Sequence, residues 1–243
     1  MISGQRFAEV SDAGGLFYSF FPFDGILGMG FTSISVDNTI TVFENALKQK
    51  VIDQPMFAFY LGDNSPGELT FGGYDVTKFT GDLVTVPLIS ATYWEIGIDA
   101  ISAGSYHSTP NTDGSPITGI VDSGTSFLVG PRSQVTKLAA AVGAKYNFFT
   151  GQYTIDCAEL DSIPDLVFTI QGIDFSVPAR SAVFQSSRSC IFAVMGLDDF
   201  KPGTQWILGD VFMREYYTIF NYLDQTISLA KAVKNTTITT ISS

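Results

Sequence analysis

Short apolar runs, each closed off by Gly, Pro, Asn or Asp, recur along the whole chain, and this punctuation limits what it can fold into. Met56 to Leu61 reads as a strand, Asp63 to Gly67 as a turn, and Glu68 to Phe71 as the returning strand of a hairpin. Trp94 to Asp99 alternates apolar and polar residues, the period of a half-buried strand. Similar runs occupy Asp165 to Ile170, Phe175 to Val177, Trp206 to Leu208, Tyr217 to Phe220 and Thr226 to Leu229. The 21 Phe, 10 Tyr and 23 Gly favour pleated surfaces and tight turns over helices. Three short helices fit the pattern. Thr41 to Lys50 puts Val42, Phe43, Ala46 and Leu47 on one face; Pro131 to Val142 opens on Pro and stops at Gly143, with Val135, Leu138, Ala139 and Val142 inward; the third covers Val211 to Glu215. The expected class is mainly β.

With 243 residues the chain can bury a sizeable core, and 45% apolar against 15% charged residues is a globular balance. The formal charge of −11 argues against nucleic acid and against an anionic membrane surface, since both need clustered Lys and Arg. The acidity fits solubility, and it also fits work at low pH. Gly15 to Phe31 is apolar but is broken by Pro22 and Asp24 and is too short to span a bilayer, and no signal peptide is read at Met1. Cys157 and Cys190 fit two readings: free thiols in a core, or a disulfide made in an oxidising compartment. Asn235-Thr236-Thr237 is a glycosylation acceptor triplet. The single histidine, His107, sits in a polar stretch and reads as a solvated loop residue, so no metal or cofactor is expected. One internal echo stands out: Ile26-Leu27-Gly28 repeats as Ile207-Leu208-Gly209, each ahead of a helical stretch, as in two related lobes.

The chemistry-bearing stretch is Gly119 to Leu128. A strand delivers Asp122 into a turn where Gly124 lets the backbone approach closely, and Ser123 and Thr125 set hydroxyls beside the carboxylate. Such a loop orients a carboxylate and favours its charged form. The plain alternative is an Asp capping a β-turn. The surroundings favour the catalytic reading. Phe23-Asp24-Gly25-Ile26-Leu27-Gly28, Gly67 to Gly73, Val86-Pro87 with Tyr93 to Ile96, Val121 to Ser126, Ile163 to Phe168 and Trp206 to Phe212 occur in the order of the pepsin-like aspartic peptidases. From about Phe17 to Val233 the chain resembles that family.

The resemblance implies an acid-protease fold: a complete C-terminal β lobe over residues 81–243 and part of an N-terminal β lobe over residues 1–80. It implies that Asp122 is one of two proton-sharing aspartates of an endopeptidase. Ser123, Gly124 and Thr125 would support the loop, Thr125 by a bond across the lobes, and Gly124 would offer backbone to substrate. Ile207-Leu208-Gly209 would pack beneath. Phe17, Phe23 and Ile26 would line an apolar wall, or serve as ordinary core. Cys157 and Cys190 would form the family's C-lobe disulfide. Substrates would be polypeptides, without cofactor, nucleic acid or membrane, in an extracellular or acidic vacuolar or lysosomal compartment.

One expected element has no match. No second Asp-Ser/Thr-Gly-Ser/Thr turn occurs, and Glu9, Asp12 and Asp24 do not begin one. In the family that turn, and the flap with its Tyr, would precede residue 1. The expectation is therefore a protease whose N-terminal segment lies outside this sequence, with residues 1–80 exposing apolar surface. The alternatives are an inactive peptide-binding relative and a homodimer joining two Asp122 loops.

Overall fold

The computed structural model describes residues 1–9, 23–63, 65–108, 116–185, 190–198 and 206–234. In chain order the strands are β1 Met56–Tyr60, β2 Glu68–Phe71, β3 Phe79–Ala91, β4 Trp94–Ile98, β5 Ala100–Ala103, β6 Tyr106–His107, β7 Ile117–Val121, β8 Leu128–Gly130 and β9 Lys145–Asn147. They continue as β10 Gln152–Ile155, β11 Leu166–Ile170, β12 Ile173–Val177, β13 Val183–Gln185, β14 Cys190–Phe192, β15 Val194–Gly196, β16 Trp206–Leu208, β17 Tyr216–Asn221 and β18 Thr226–Ala232. The helices are α1 Val42–Lys48, α2 Arg132–Ala141 and α3 Asp210–Met213. The mainly β expectation holds.

One sheet of ten strands runs β15-β8-β16-β7-β4-β3-β18-β17-β1-β2. Two four-stranded sheets, β13-β14-β10-β9 and β12-β11-β5-β6, complete the described strands. The hairpin read at residues 56–71 forms, with Phe59 opposite Leu69, and β1 also pairs with β17. Residues on either side of position 80 thus share one sheet. Between β3 and β7, β4 is buried on both faces: Glu95 is buried beside Trp94 and Ile96, so the expected half-buried alternation is not what forms. β3 is the strand the sequence hides best. Gly81, Asp82 and Pro87 interrupt it, only Val86 is buried, and pairing with β18 and β4 holds it.

The three helices sit where expected, α1 and α2 with trimmed ends and α3 beginning one residue earlier, at Asp210, and ending two earlier, at Met213. Thr41 caps α1 by accepting from Glu44 N, and Glu44 Oε1 in turn accepts from Thr32 N. Gly143, at φ +78°, follows the end of α2 in the left-handed region where glycine carries no Cβ penalty. Val135, Leu138, Ala139 and Val142 are all buried. The main core gathers Trp206, Phe168, Phe212, Ile96 and Leu208, each at most 0% exposed. Burying side chains of this size contributes roughly 2–3 kcal/mol apiece before entropy is counted.

Apolar exposure is pronounced in the first 80 residues. Phe7 and Ile26 are each 86% exposed, Val36 83% and Val76 66%. It is not confined there: Phe148 and Phe149 stand almost fully exposed on the β9–β10 hairpin.

Candidate active site

Asp122 is placed by three strands. In the sheet β16 lies between β7 and β8, parallel to β7 with Leu208 opposite Val121, and antiparallel to β8. The loop from Asp122 to Phe127 therefore passes from β7 to β8 over the end of β16. Asp122 N donates to Leu208 O at 3.2 Å, and Asp210 N donates to Thr125 O at 2.8 Å. A Cβ on Gly209 would meet Thr125 O at 2.1 Å, so only glycine lets the two loops come this close.

The carboxylate is oriented from within its own loop. Gly124 N donates to Oδ1 at 2.9 Å and the Thr125 hydroxyl to Oδ2 at 2.6 Å. Thr125 thus bonds its own Asp122, while the loop that would receive the cross-lobe bond implied by the resemblance lies outside this sequence. The loop is open to solvent: Asp122 is half-buried, Ser123 and Gly124 are exposed. Two carboxylate oxygens each holding one donor leave lone pairs free for a water, which suits general-base chemistry.

A second carboxylate that sequence reasoning passed over stands behind the loop. Burial raises the Asp210 carboxyl above the usual carboxylate value; Arg214, 4.0 Å away, pulls it down and the Asp122 charge pushes it up. The only hint in the sequence was its place directly after Gly209, in a stretch used for recognition and given no role.

Cys157 and Cys190 are bonded, with Cα atoms 5.4 Å apart, and tie the segment before β11 to β14. Phe23 is 48% exposed and Ile26 86% exposed. Phe17 and the Asn235 triplet lie outside the described residues. The two copies of the Ile-Leu-Gly echo differ. Leu208 is fully buried and Gly209 is crowded by the Asp122 loop, while Leu27 is 51% exposed and a Cβ on Gly28 would meet nothing within 4 Å among the described residues. His107 is exposed, as expected, but in strand β6 rather than a loop, and lines a cavity of about 530 Å³ with Gln134 and Lys137. A larger cavity of about 900 Å³ lies between the β1–β2 turn and β13; Asp122 lines neither. Among the described residues no three His, Cys, Asp or Glu side chains gather to hold a metal, and no helix is long and apolar enough to cross a membrane.

The profile of the family described as Eukaryotic aspartyl protease matches residues 1–232. Over 237 residues the chain is 43% identical to the probable vacuolar protease A of Trichophyton verrucosum, covering 95% of this chain and 58% of that protein. It is 36% identical over 241 residues to cathepsin E of Oryctolagus cuniculus, covering 96% of this chain and 60% of the relative. With pepsin A of Rhinolophus ferrumequinum the identity is 37% over 231 residues, covering 94% and 59%. The chain spans less than two thirds of the length of these curated relatives.

Proposed function

Because the chain belongs to the eukaryotic aspartyl protease family, we propose that Asp122 is one carboxylate of a two-aspartate endopeptidase site whose other carboxylate is carried by sequence beyond these 243 residues. The observation that carries this reading is the contrast between Gly209, packed under the Asp122 loop, and Gly28, whose added Cβ would meet nothing within 4 Å among the described residues. A second Asp-bearing turn seated over Ile26 to Gly28 would cover that surface and set two carboxylates face to face. The division into an N-terminal lobe over residues 1–80 and a C-terminal lobe over residues 81–243 belongs to the same reading. Phe17, Phe23 and Ile26 would then form its apolar wall, and Ser123 and Gly124 the open rim of the loop.

Two close carboxylates cannot both ionise cheaply, so they share one proton. The ionised member takes a proton from a water held between them. The water oxygen attacks the peptide carbonyl carbon, and the protonated member donates to the carbonyl oxygen. The intermediate then expels the amine, which takes up a proton as it leaves. Gly124 N–H and Thr125 O–H hold Asp122 in place throughout. Substrates are polypeptides, and the fitting compartments are an acidic vacuole or the extracellular space.

A statine-type peptide, which mimics the tetrahedral intermediate, tests the reading alongside acid-pH hydrolysis of an unfolded protein. Binding together with hydrolysis supports the protease. Binding without hydrolysis favours an inactive peptide-binding relative, for which the single Asp-Ser-Gly-Thr turn in this sequence is the supporting observation. Absence of both sinks the proposal.

A further inference from the structure

We propose that the groove between the β1–β2 turn and strand β13 is a second binding site, which takes an extended acidic peptide as an added strand on β13. Its cavity of about 900 Å³ is lined on one side by Gly62, Asp63 and Ser65 and on the other by Val183, Phe184 and Gln185. Side chains alternate across a strand, so a cavity facing one surface of β13 would meet every second residue. Here all three consecutive residues line it, so the cavity meets the strand's edge, where main-chain groups are offered. β13 is also the terminal strand of its sheet among the described strands. A peptide adding there would gain main-chain hydrogen bonds from the edge of β13 that pairs with no other described strand.

Charge selects the kind of peptide. The whole chain carries 13 Lys and Arg against 24 acidic residues, yet Arg180, Arg214 and Lys234 all line this groove, and Lys231 lies beside it. Lys231 and Lys234 are held by Glu215 at 2.7 and 2.6 Å; Glu215 is 2% exposed, so its charge is consumed inside the wall. Lys234 also lies 4.0 Å from Asp63, the acid on the rim. Arg180 pairs with Asp161, but those side chains are 71% and 77% exposed, and such a pair exchanges readily for a ligand carboxylate. Arg214 lies 4.0 Å from Asp210 and rests over the Phe184 ring at 5.8 Å, a flat cationic surface for a carboxylate to meet. Asp122 does not line this groove, although Phe184 packs against Phe127 of the Asp122 loop at 5.5 Å and Arg214 faces Asp210 behind that loop.

Fluorescence anisotropy with a labelled oligoglutamate peptide tests the proposal. Saturable binding that weakens with added salt is expected, with Arg180→Glu weakening it about tenfold or more. Lys145→Glu, on the distant β9–β10 hairpin, should leave binding unchanged, and thermal melts verify that both variants fold. Methylating alternate main-chain nitrogens of the peptide should weaken binding comparably, a readout that a purely ionic site would not move. Absence of binding, equal binding of oligolysine, indifference to Arg180→Glu or indifference to main-chain methylation would each overturn the proposal. Displacement by millimolar inorganic phosphate would reduce the groove to a simple anion site and would likewise overturn it.

Discussion

Replacing Gly209 with alanine strikes the Asp122 loop without altering any residue in it. The added Cβ would lie 2.1 Å from Thr125 O and 2.3 Å from Phe127 O, both backbone atoms. Carbon and oxygen at such distances are far inside contact, and no flexible side-chain end can swing away. The loop must lift off β16. Lifting it breaks the Asp210 N to Thr125 O bond at 2.8 Å and strains Asp122 N to Leu208 O at 3.2 Å. Each backbone bond contributes about 0.5–1.5 kcal/mol net, and more where its partner stays buried and unpaired. Overpacking adds about 1–3 kcal/mol. The sum is roughly 2–6 kcal/mol, which in a chain of this size lowers Tm by about 4–24 °C. Urea unfolding followed by tryptophan fluorescence suits the measurement, because Trp206 is fully buried in β16 beside the perturbation. Gly97→Ala is the control: among the described residues nothing lies within 4 Å of its added Cβ. A Gly209→Ala protein as stable as the Gly97→Ala protein would refute the packing argument.

Burial pushes the Glu215 carboxyl up, but Lys231, Lys234 and Ser181 outweigh it and hold the group below its ordinary value. Its contribution is therefore present above the ordinary carboxylate range and is lost as pH falls through the lowered folded value. Glu215→Gln should cost about 2–3 kcal/mol near neutrality, discounted because both lysines are partly exposed, and the gap to the parent should close below about pH 4 in denaturation curves. Asp210 has the opposite sign: its raised value makes ionisation unfavourable in the folded state, so the parent loses stability as pH rises. Asp210→Asn should gain on the parent as pH climbs past about 4, read from melts across the range. Replacing Cys157 and Cys190 together by alanine opens a link spanning 33 residues. It should cost about 3–4 kcal/mol by guanidinium unfolding.

The local signals in the sequence were strong where one segment decides the outcome. The β1–β2 hairpin, the inward face of α2 and the Gly143 stop follow from period and turn chemistry within a few residues. β3 escaped because Gly81, Asp82 and Pro87 deny it a pattern, and its pairing with β18 joins residues more than a hundred positions apart. Glu95 lost its expected exposure for the same reason, since neighbours on both sides cover β4. The turn that orients the Asp122 carboxylate was legible from its own residues, and the Cys157–Cys190 bond through the resemblance. Asp210 was not, because its proximity to Asp122 depends on β16 lying between β7 and β8, which no spacing reveals. The groove at β13 was equally hidden. Its cations at positions 180, 214 and 234 are brought together only by the fold.

The central claim is that the Asp122 carboxylate is half of a proton-sharing pair. Hydrolysis of acid-denatured haemoglobin by the polypeptide produced from its native gene, compared between the parent and Asp122→Asn, tests it most directly. A loss of about a thousandfold is expected in the variant with its melting temperature retained, since an amide cannot take the water's proton. Equal rates for parent and variant would contradict it.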